Sequence, residues 1–548
     1  MRWALGVLVG CGGPEIPPAP PVVPLQVTVA ARTGIHDLVA TVAWPDGEQP
    51  RDVRWAWARD GARVENVTDR VPATDTRPGE IWTATATAIV GLPAAAIGSV
   101  SHVVPAPPGG NVIVIVIDDV GLDKLAIYGA ESAALTPTID ALAARGVLFR
   151  NAYASPTCTP TRANLLTGRH ASRSGAGAII DLSDTEFELS LDALTVPEAL
   201  ADARSGPWSN SSVGKWHLSS RISASAHAHP GLSGFDWYGG SLGYLLKGED
   251  VPGEVYGYFR WDKTDTDGNV ALRDAYNTTD TVDDALARIA VMEPPFFLWL
   301  ALNAPHTPLH VPPAGLHTRP AVAESTDPEL FDAMLEAADT ELGRLFASMD
   351  PAVLADTTVI FIADNGTSEV TVAPPSDPAR VKGTVFEGGV HVPLLVAGPL
   401  VAGPGETDAL VHAVDVFATI AEIAGIPLLD DGAGQAVAAG GVVRRIDGIS
   451  LLPWMADPSA PSGREFVLAE NLSANGDPPW DSAARTIRDA RWKLIRRPDG
   501  DALFELVPGV LDEGPDLLPA ATDEQLAAYD RLSAALDAQV ADMPYEGF

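Results

Sequence analysis

Cysteine is nearly absent from this chain of 548 residues, which contains two. A framework of several disulfide bonds is therefore excluded, and each cysteine has to be explained by its own surroundings. A single bridge between Cys11 and Cys158 would be the one available pairing. Each of these cysteines lies in a motif of its own, however, so we expect no such bridge.

Positive charge is also scarce, since 36 lysines and arginines face 72 acidic residues and leave a formal net charge of -36. This balance opposes broad binding to nucleic acid or to an anionic membrane surface. An anionic substrate would therefore need a local cationic pocket. Lysine is the rarer base, so a lysine within a motif suggests a need for a compact ammonium group. The six lysines are Lys124, Lys215, Lys247, Lys263, Lys382 and Lys493.

Long apolar runs are missing too, because no stretch reaches the ~18 residues of a membrane-spanning helix. Residues 1–11 combine Arg2, a short apolar run and Leu8-Val9-Gly10-Cys11, which is typical of an export signal and resembles a lipoprotein lipobox. Residues 12–24 are rich in proline and are expected to form a tether. We therefore expect an exported protein, lipid-anchored in a bacterial cell envelope or else periplasmic or extracellular, whose membrane contact is limited to that anchor.

A second cluster of proline and glycine, residues 105–110, separates two sequence patterns. Before it, residues 25–104 contain short alternating runs that predict a small all-β sandwich, immunoglobulin-like and used as a spacer. After it, apolar runs alternate with helical patterns and predict an α/β fold. The predicted strands are 112–117, 296–302 and 358–363, and the predicted helices are 136–145, 330–349 and 411–424.

Oxygen-rich pairs follow two of these predicted strands. Asp118 and Asp119 come directly after residue 117, and Asp364 and Asn365 directly after residue 363. Ligands of open α/β sheets collect at the carboxyl ends of parallel strands, where three carboxylates would repel one another without a cation. Oxygen ligands suit Ca²⁺ or Mg²⁺. Taken singly, each pair could instead cap a helix or form a turn.

The second cysteine lies in residues 155–169, between Pro156 and Pro160 and four residues before Arg162. A neighbouring guanidinium favours the thiolate form of a cysteine, whereas the alternative is a small residue of the core. Four further residues could supply acid, base and cationic groups around one anion, although each could also be structural. They are Lys215, His217, His306 and Lys382.

The segment around Cys158 resembles the sulfatase signature Cys-x-Pro-Ser/Thr-Arg, in which the cysteine is converted to formylglycine. Further motifs follow in the family's order: Asp118-Asp119 before it, then Gly-Lys-Trp-His at Lys215, Pro-His-Thr-Pro at His306, Asp-Asn-Gly at Asp364, and Lys382. The resemblance implies an alkaline-phosphatase-like mixed sheet flanked by helices over residues 110–455, with a smaller α+β subdomain over 456–548. It also implies a divalent cation, usually calcium, held by Asp118, Asp119, Asp364, Asn365 and the modified Cys158.

The resemblance further implies a role for each catalytic candidate. The formylglycine hydrate would attack sulfur while the metal and Arg162 hold it. His306 with Lys382 would protonate the leaving alcohol, His217 would remove the second hydroxyl's proton, and Lys215 would offset charge. Two positions depart from the family pattern: Thr161 stands where serine is usual, and His391 where arginine is common. We expect conversion of Cys158 to survive the first departure.

The sequence therefore predicts an arylsulfatase-type hydrolase acting on a sulfated small molecule or glycan, with a formylglycine-generating enzyme as its maturation partner. One alternative is a phosphonate monoester or phosphodiester hydrolase of the same superfamily. The other is a non-enzymatic surface protein that binds glycans through the β-module. Residues 219–260 carry no clear pattern, and we expect them to form the walls that select the substrate.

Overall fold

The computed structural model describes residues 23–30, 37–43, 53–66, 68–89, 95–104, 107–130, 133–245, 257–372, 376–430, 435–439 and 442–543. They fall into two compact units, Met1–Pro105 and Ala106–Phe548. The predicted signal over residues 1–11 lies outside the described residues, as does most of the predicted tether. No helix among the described residues combines the length and apolarity needed to cross a membrane.

The first unit is built from strands of two sheets. One sheet has the order β1-β8-β7-β4-β5 and the other the order β2-β3-β6. Trp57 and Trp82 of the first sheet and Leu38 and Val71 of the second belong to one buried cluster, so the two sheets share a core. The immunoglobulin-like type and the spacer role remain predictions. The strands are β1 (Val23–Pro24), β2 (Gln26–Ala30), β3 (Leu38–Ala43), β4 (Val53–Arg59), β5 (Ala62–Val64), β6 (Arg70–Val71), β7 (Ile81–Ile89) and β8 (Ala95–Val103).

A mixed sheet of ten described strands forms the centre of the second unit, in the order β14-β13-β12-β11-β15-β9-β16-β17-β10-β18. Its neighbours β11, β15, β9 and β16 run parallel. Every residue of β9, β15 and β16 is buried, as their continuous apolar runs require. The strands are β9 (Asn111–Ile117), β10 (Gly146–Tyr153), β11 (Ser209–Gly214), β12 (Trp237–Gly240), β13 (Trp261–Asp265), β14 (Val270–Arg273), β15 (Phe296–Ala301), β16 (Thr357–Ala363), β17 (Leu394–Ala397) and β18 (Gly405–His412).

Helices flank this sheet, and the predicted α/β pattern is confirmed with one correction. The predicted helix over 411–424 begins only at Asp415, because Val411 and His412 pair with β10 as the end of β18. Its apolar run continues from a strand directly into a helix, so periodicity could not separate the two. The helices are α1 (Pro137–Ala144), α2 (Cys158–Thr167), α3 (Ala171–Ser174), α4 (Val196–Leu200), α5 (His229–Leu232), α6 (Asn277–Ile289), α7 (Asp327–Ser348), α8 (Pro351–Ala355), α9 (Glu387–Val390), α10 (Asp415–Ala424), α11 (Leu452–Ala456) and α12 (Asp523–Ala541).

Two small antiparallel sheets complete the second unit. In the second of them, α12 packs on β23 and β24, and Leu532 and Leu536 are buried against Ile487 and Leu494. This arrangement is α+β, while the boundary at residue 456 remains a prediction. The strands are β19 (Leu428–Asp430), β20 (Gln435–Ala439), β21 (Val442–Ile446), β22 (Val467–Ser473), β23 (Ser482–Arg488), β24 (Trp492–Arg497) and β25 (Gly500–Glu505).

The contact between α12 and its sheet can be tested by shortening one buried leucine. Leu532→Ala is expected to lower the free energy of unfolding by about 2–5 kcal/mol, because it removes buried methyl groups and leaves a cavity. Leu526, on the same helix but 46% exposed, provides the control, and Leu526→Ala is expected to change this energy by less than about 0.5 kcal/mol. Calorimetric unfolding of the full chain measures both. Equal losses in the two variants would contradict the packing described.

Candidate active site

Four neighbouring parallel strands bring most of the predicted site residues to one edge of the central sheet. β9 leads into Asp118, β16 into Asp364, β11 into Lys215, and β15 into the loop that carries His306. Backbone hydrogen bonds continue past the strand ends: the amide of Lys215 donates to the Ala301 carbonyl at 2.8 Å. Side chains that lie far apart in the sequence are thereby brought into one group.

Backbone conformation at this edge is unusual. Gly214 has a φ of +90°, and a Cβ there would lie 1.9 Å from the Ala301 carbonyl oxygen, so glycine is required just before Lys215. His217 and Asp119 adopt φ angles of +62° and +64° although they are not glycines. Such strained conformations persist where the surrounding structure holds them, and they concentrate at functional sites.

Cys158 is the first residue of α2 and is fully buried. Its Sγ lies 3.5 Å from Oδ1 of Asp118, 3.5 Å from Nζ of Lys215 and 3.7 Å from Nζ of Lys382. Position 158 therefore faces one carboxylate and two ammonium groups. The unmodified thiol marks the place that a formylglycine side chain would occupy.

Arg162 lies one helical turn after Cys158 and fastens α2 to two strand ends. Its Nε and Nη2 donate to Oδ2 of Asp364 at 3.0 and 2.8 Å, and Nη1 donates to the Lys215 carbonyl at 2.7 Å. The guanidinium is wholly buried. Arg162 thus positions the helix, and its principal partner is Asp364.

The surroundings of Cys158 do not favour the thiolate form of its side chain. Burial raises the pKa of the Cys158 thiol, and the carboxylates of Asp118 and Asp364 raise it further, against the opposing effect of Lys215 and Lys382. The thiol is therefore kept protonated. The guanidinium of Arg162, which could have favoured a thiolate, is bound to Asp364 instead.

The two carboxylates after β9 are held in the ionised form. Burial alone would raise the pKa of each carboxyl, but Lys215 beside Asp118 and Lys382 beside Asp119 keep both pKa values below the usual range. Lys215 Nζ lies 2.5 Å from Oδ2 of Asp118, and Lys382 Nζ contacts Oδ1 of Asp119. The pKa values of both lysines are raised by these partners despite burial. The pairs are therefore charged.

The donor set fits a hard cation. Ligand atoms of Asp118, Asp119, Cys158 and His306 lie within 4.8 Å of one another. Asn365 donates from Nδ2 to Oδ1 of Asp119 at 2.8 Å, while its Oδ1 is buried without a hydrogen-bond partner in the described part of the chain. A buried amide oxygen without a partner costs free energy unless a ligand satisfies it. The oxygens of the Asp-Asp and Asp-Asn pairs therefore suit Ca²⁺ or Mg²⁺.

Asp364 lies beside this group without belonging to the tight set of four. Its Oδ1 accepts from the amide of Asp119 at 3.3 Å, and its Oδ2 accepts from Arg162. His306, which the sequence analysis predicted as an acid, has Nε2 3.9 Å from Oδ2 of Asp119. The ligand and catalytic assignments remain predictions. Around Cys158 the structure brings together Asp118, Asp119, His306, Lys215 and Lys382, and hydrogen bonds link Asp364, Asn365 and Arg162 to this group. His217 is linked to it through its backbone carbonyl, which accepts from the Thr159 hydroxyl at 3.0 Å.

The two histidines offer different ring nitrogens to the site. His217 donates from Nε2 to the Ile180 carbonyl at 2.9 Å, which leaves Nδ1 without a proton and, among the described residues, without a partner. Burial and Lys215 keep the pKa of His217 well below its usual value. His306 donates from Nδ1 to the Thr307 carbonyl at 2.8 Å, and burial and Lys215 also lower its pKa.

Tyr244 is a site residue that the sequence analysis missed. Its ring centroid lies 5.8 Å from that of His217, edge to face, and 6.4 Å from that of His306, nearly parallel. Asn303 donates from Nδ2 to the Gly243 carbonyl at 3.1 Å and fixes this segment beside the loop of His306. Residues 219–260 have no periodic pattern, so only their aromatic content could have drawn attention to Tyr244.

The two departures from the family pattern have different surroundings. The Thr161 hydroxyl is buried and donates to the Ser155 carbonyl at 3.1 Å, so it stabilises the turn before α2. His391 contacts the Glu387 carboxylate through Nδ1 at 2.8 Å and the Arg150 carbonyl through Nε2 at 2.7 Å. These contacts lie outside the group around Cys158, which gives His391 a structural role.

Comparison with known proteins gives one family. The Sulfatase family model matches residues 110–426. N-acetylgalactosamine-6-sulfatase of Canis lupus familiaris is 29% identical over 403 residues, covering 66% of this chain and 68% of its own. Arylsulfatase A of Homo sapiens is 30% identical over 348 residues, covering 59% and 65%. The chain thus spans about two thirds of the length of these relatives.

A solved structure shares the fold. Ps i-CgsB, solved in complex with k-i-k-neocarrahexaose, matches with a TM-score of 0.62 and 23% sequence identity. The match covers 80% of this chain and 95% of that chain. At 23% identity this likeness shows a shared fold and nothing further.

His310 lies in the same loop as His306 and provides a test of pH dependence. Its ring packs 4.3 Å from that of Tyr258, donates from Nδ1 to the Pro308 carbonyl at 3.0 Å, and accepts from the Tyr276 hydroxyl at 3.2 Å. Burial lowers the pKa of His310 to about 4. The folded protein therefore holds this ring neutral at a pH where an unfolded chain, with a histidine pKa of about 6.5, would protonate it.

Protonation of His310 is expected to destabilise the protein in acid. Its contribution is absent above pH ~6.5, and stability is lost as the pH falls from there to about 4, by at most about 3 kcal/mol. His310→Gln should therefore lose less stability than the parent over this range, measured by thermal unfolding at a series of pH values. Measurements between pH ~7 and 8 provide the baseline for each protein. Parallel curves down to pH ~4 would contradict the assignment.

Proposed function

The chain belongs to the sulfatase family and hydrolyses sulfate esters, and from that premise we propose that it releases sulfate from a carbohydrate, using a formylglycine made from Cys158 and a calcium ion. One observation carries the proposal. Sγ of Cys158 lies within 3.7 Å of Asp118 and Lys215, which follow parallel strands, and of Lys382, which lies in the turn before α9. An anion bound at position 158 would meet two ammonium groups directly.

These lysines supply the local cationic pocket that a chain of net charge -36 needs for an anionic substrate. The Nζ atoms of Lys215 and Lys382 lie 3.5 and 3.7 Å from Sγ of Cys158, so they can donate to the oxygens of a sulfate bound there. Their charge counts for more in a dry site than in water. Arg162, bound to Asp364, keeps position 158 in place while substrate binds.

Proton transfer is assigned to the two histidines. Nδ1 of His217 is unprotonated and without a partner among the described residues, so it can accept a proton from the side chain at position 158. Nε2 of His306 is the ring nitrogen turned toward Asp119. Because Nδ1 donates to the Thr307 carbonyl, the neutral ring has no proton on Nε2, so His306 would first take up a proton there and then donate it to the oxygen of the leaving alcohol. An acid and a base on opposite ring nitrogens of two residues can serve the two halves of one hydrolysis.

Two groups would complete the site. Asp118, Asp119, Asp364 and Asn365 offer the oxygens for calcium, which would draw negative charge from the sulfate and from residue 158. Formylglycine would supply the nucleophilic oxygen that an unmodified, protonated thiol does not have. Magnesium would suit the same oxygens.

The reaction is tested by comparing esters of one phenol. Protein made together with a formylglycine-generating enzyme is expected to hydrolyse 4-nitrophenyl sulfate much faster than 4-nitrophenyl phosphate or a phosphonate monoester. Cys158→Ala is expected to lose activity. In the parent protein, mass spectrometry of the peptide that contains residue 158 should show an aldehyde. Faster hydrolysis of the phosphonate monoester would favour the alternative enzyme class. Full activity with an unmodified thiol would refute the formylglycine mechanism.

The carbohydrate part of the proposal rests on the relatives and on Tyr244. One relative is named for a sulfated amino sugar, and one structural neighbour was solved with an oligosaccharide. Tyr244 places an aromatic ring near the rings of both His217 and His306. A pyranose ring carrying the ester could stack on such a face while both histidines reach its oxygens.

Tyr244 is therefore expected to contribute to recognition of the sugar. Tyr244→Ala should lower kcat/KM for a sulfated monosaccharide about three- to tenfold, the range expected for one lost aromatic contact. Tyr244→Phe keeps the ring and should remain close to the parent. Steady-state kinetics on N-acetylgalactosamine 6-sulfate measures both. An equal loss in the phenylalanine variant would show that the hydroxyl acts, and no loss in either would exclude Tyr244 from recognition.

A further inference from the structure

The turn that carries Lys382 is held by three separate segments. The amide of Lys382 donates to the Thr367 carbonyl at 3.0 Å, and the amide of Gly383 donates to the Pro156 carbonyl at 2.8 Å. The Gly383 carbonyl accepts from Nδ2 of Asn471 at 2.8 Å. The first two contacts come from loops of the active site. The third comes from β22, in the C-terminal sheet.

β22 contacts the active-site segments through three consecutive residues. Glu470 accepts from the amide of Ser172 at 2.9 Å, just beyond the helix that begins at Cys158. The amide of Leu472 donates to the Gly177 carbonyl at 3.0 Å. Asn471 lies between these two contacts. The strand thus forms a support along one side of the site, and Asn471 is its contact with the turn of Lys382.

The far end of the same turn is also fixed from the C-terminal sheet. Glu387, the first residue of α9, accepts at Oε1 from Nζ of Lys493 at 2.8 Å, and both side chains are buried. The turn from Lys382 to Glu387 is therefore held at both ends by one sheet. Gly383 has a φ of +85°, and nothing lies within 4 Å of its Cβ direction. Packing on that face does not hold Gly383, so its hydrogen bonds fix it.

We propose that Asn471 is a positioning residue, which acts on the reaction by holding Lys382 against Cys158. The proposal rests on the catalytic role proposed for Lys382. A lysine side chain is long and flexible, so the location of its ammonium depends on a fixed backbone. Loss of the Asn471 contact would free the Gly383 carbonyl and let the Lys382 ammonium move away from its 3.7 Å position at Cys158 Sγ. Small displacements of catalytic groups lower rates steeply.

A double-mutant cycle separates this role from a purely structural one. With Lys382 present, Asn471→Ala is expected to lower kcat/KM for 4-nitrophenyl sulfate about tenfold, mainly through kcat. In a Lys382→Ala background, the same change should cost less than about twofold. Asn471→Asp should lose at least as much as alanine, because its carboxylate cannot donate to the Gly383 carbonyl. This variant keeps the size of the side chain if Asn471→Ala folds poorly.

Asn151 provides the matched control. It is also half-buried and donates from Nδ2 to a backbone carbonyl, that of Asp408, at 2.9 Å, but it lies outside the active site. Asn151→Ala should leave kcat/KM within about twofold of the parent. Equal losses from Asn471→Ala with and without Lys382, or no loss at all, would overturn the proposal. A parent without sulfatase activity would instead refute the proposed function.

If the Lys382→Ala protein turns over too slowly to assay, sulfate binding provides a second measurement. The same four proteins can be titrated with inorganic sulfate, the product, by calorimetry. Asn471→Ala should weaken sulfate binding several-fold with Lys382 present and leave it unchanged in the Lys382→Ala protein. Additive losses of sulfate affinity would overturn the proposal independently of turnover.

Discussion

The pairing of buried carboxylates with buried cations is the interaction on which this site depends. Asp118 and Asp119 follow β9, where burial alone would raise the pKa of each carboxyl, and the buried Asp364 follows β16. Lys215, Lys382 and Arg162 meet them from three other segments: the end of β11, the turn before α9, and α2. Removing one cation would leave a buried charge uncompensated, which is among the more costly changes a protein can suffer. The site and the packing of these segments therefore stabilise each other.

The pattern of apolar and polar residues in the sequence predicts the acidic part of this site, at the ends of β9 and β16, without help from any family resemblance. β9 and β16 are continuous apolar runs that end in acidic or amide pairs, which is the pattern of buried parallel strands beside a ligand site. β11 carries Lys215 and His217 just as directly, yet its sequence, Ser-Asn-Ser-Ser-Val-Gly, has no apolar run. It is buried because it lies between β12 and β15. Only the resemblance of the Gly-Lys-Trp-His motif could place these two residues in advance.

The remaining features of the site depend on contacts between residues that lie far apart in the sequence, so the sequence alone does not predict them. Arg162 lies four residues from Cys158 in the sequence, but its partner Asp364 lies 202 residues away and binds the guanidinium. Tyr244 and Asn471 belong to segments without periodic pattern or motif. Only the folded structure shows that the Tyr244 ring lies near two histidines and that the Asn471 amide donates to the Gly383 carbonyl. The start of α10 was misplaced for a related reason, since apolar composition does not show where a strand gives way to a helix.

Lysine and arginine have different uses in this site, although lysine is scarce in the chain. Arginine is used where a planar, bidentate donor meets a carboxylate, as Arg162 does with Asp364. Lysine is used where an ammonium has to fit between a carboxylate and the small side chain at position 158, as Lys215 and Lys382 do. In the described structure three carboxylates face three cations, so a bound divalent cation would leave the site positively charged. The site can therefore attract an anionic ester although the chain as a whole repels one.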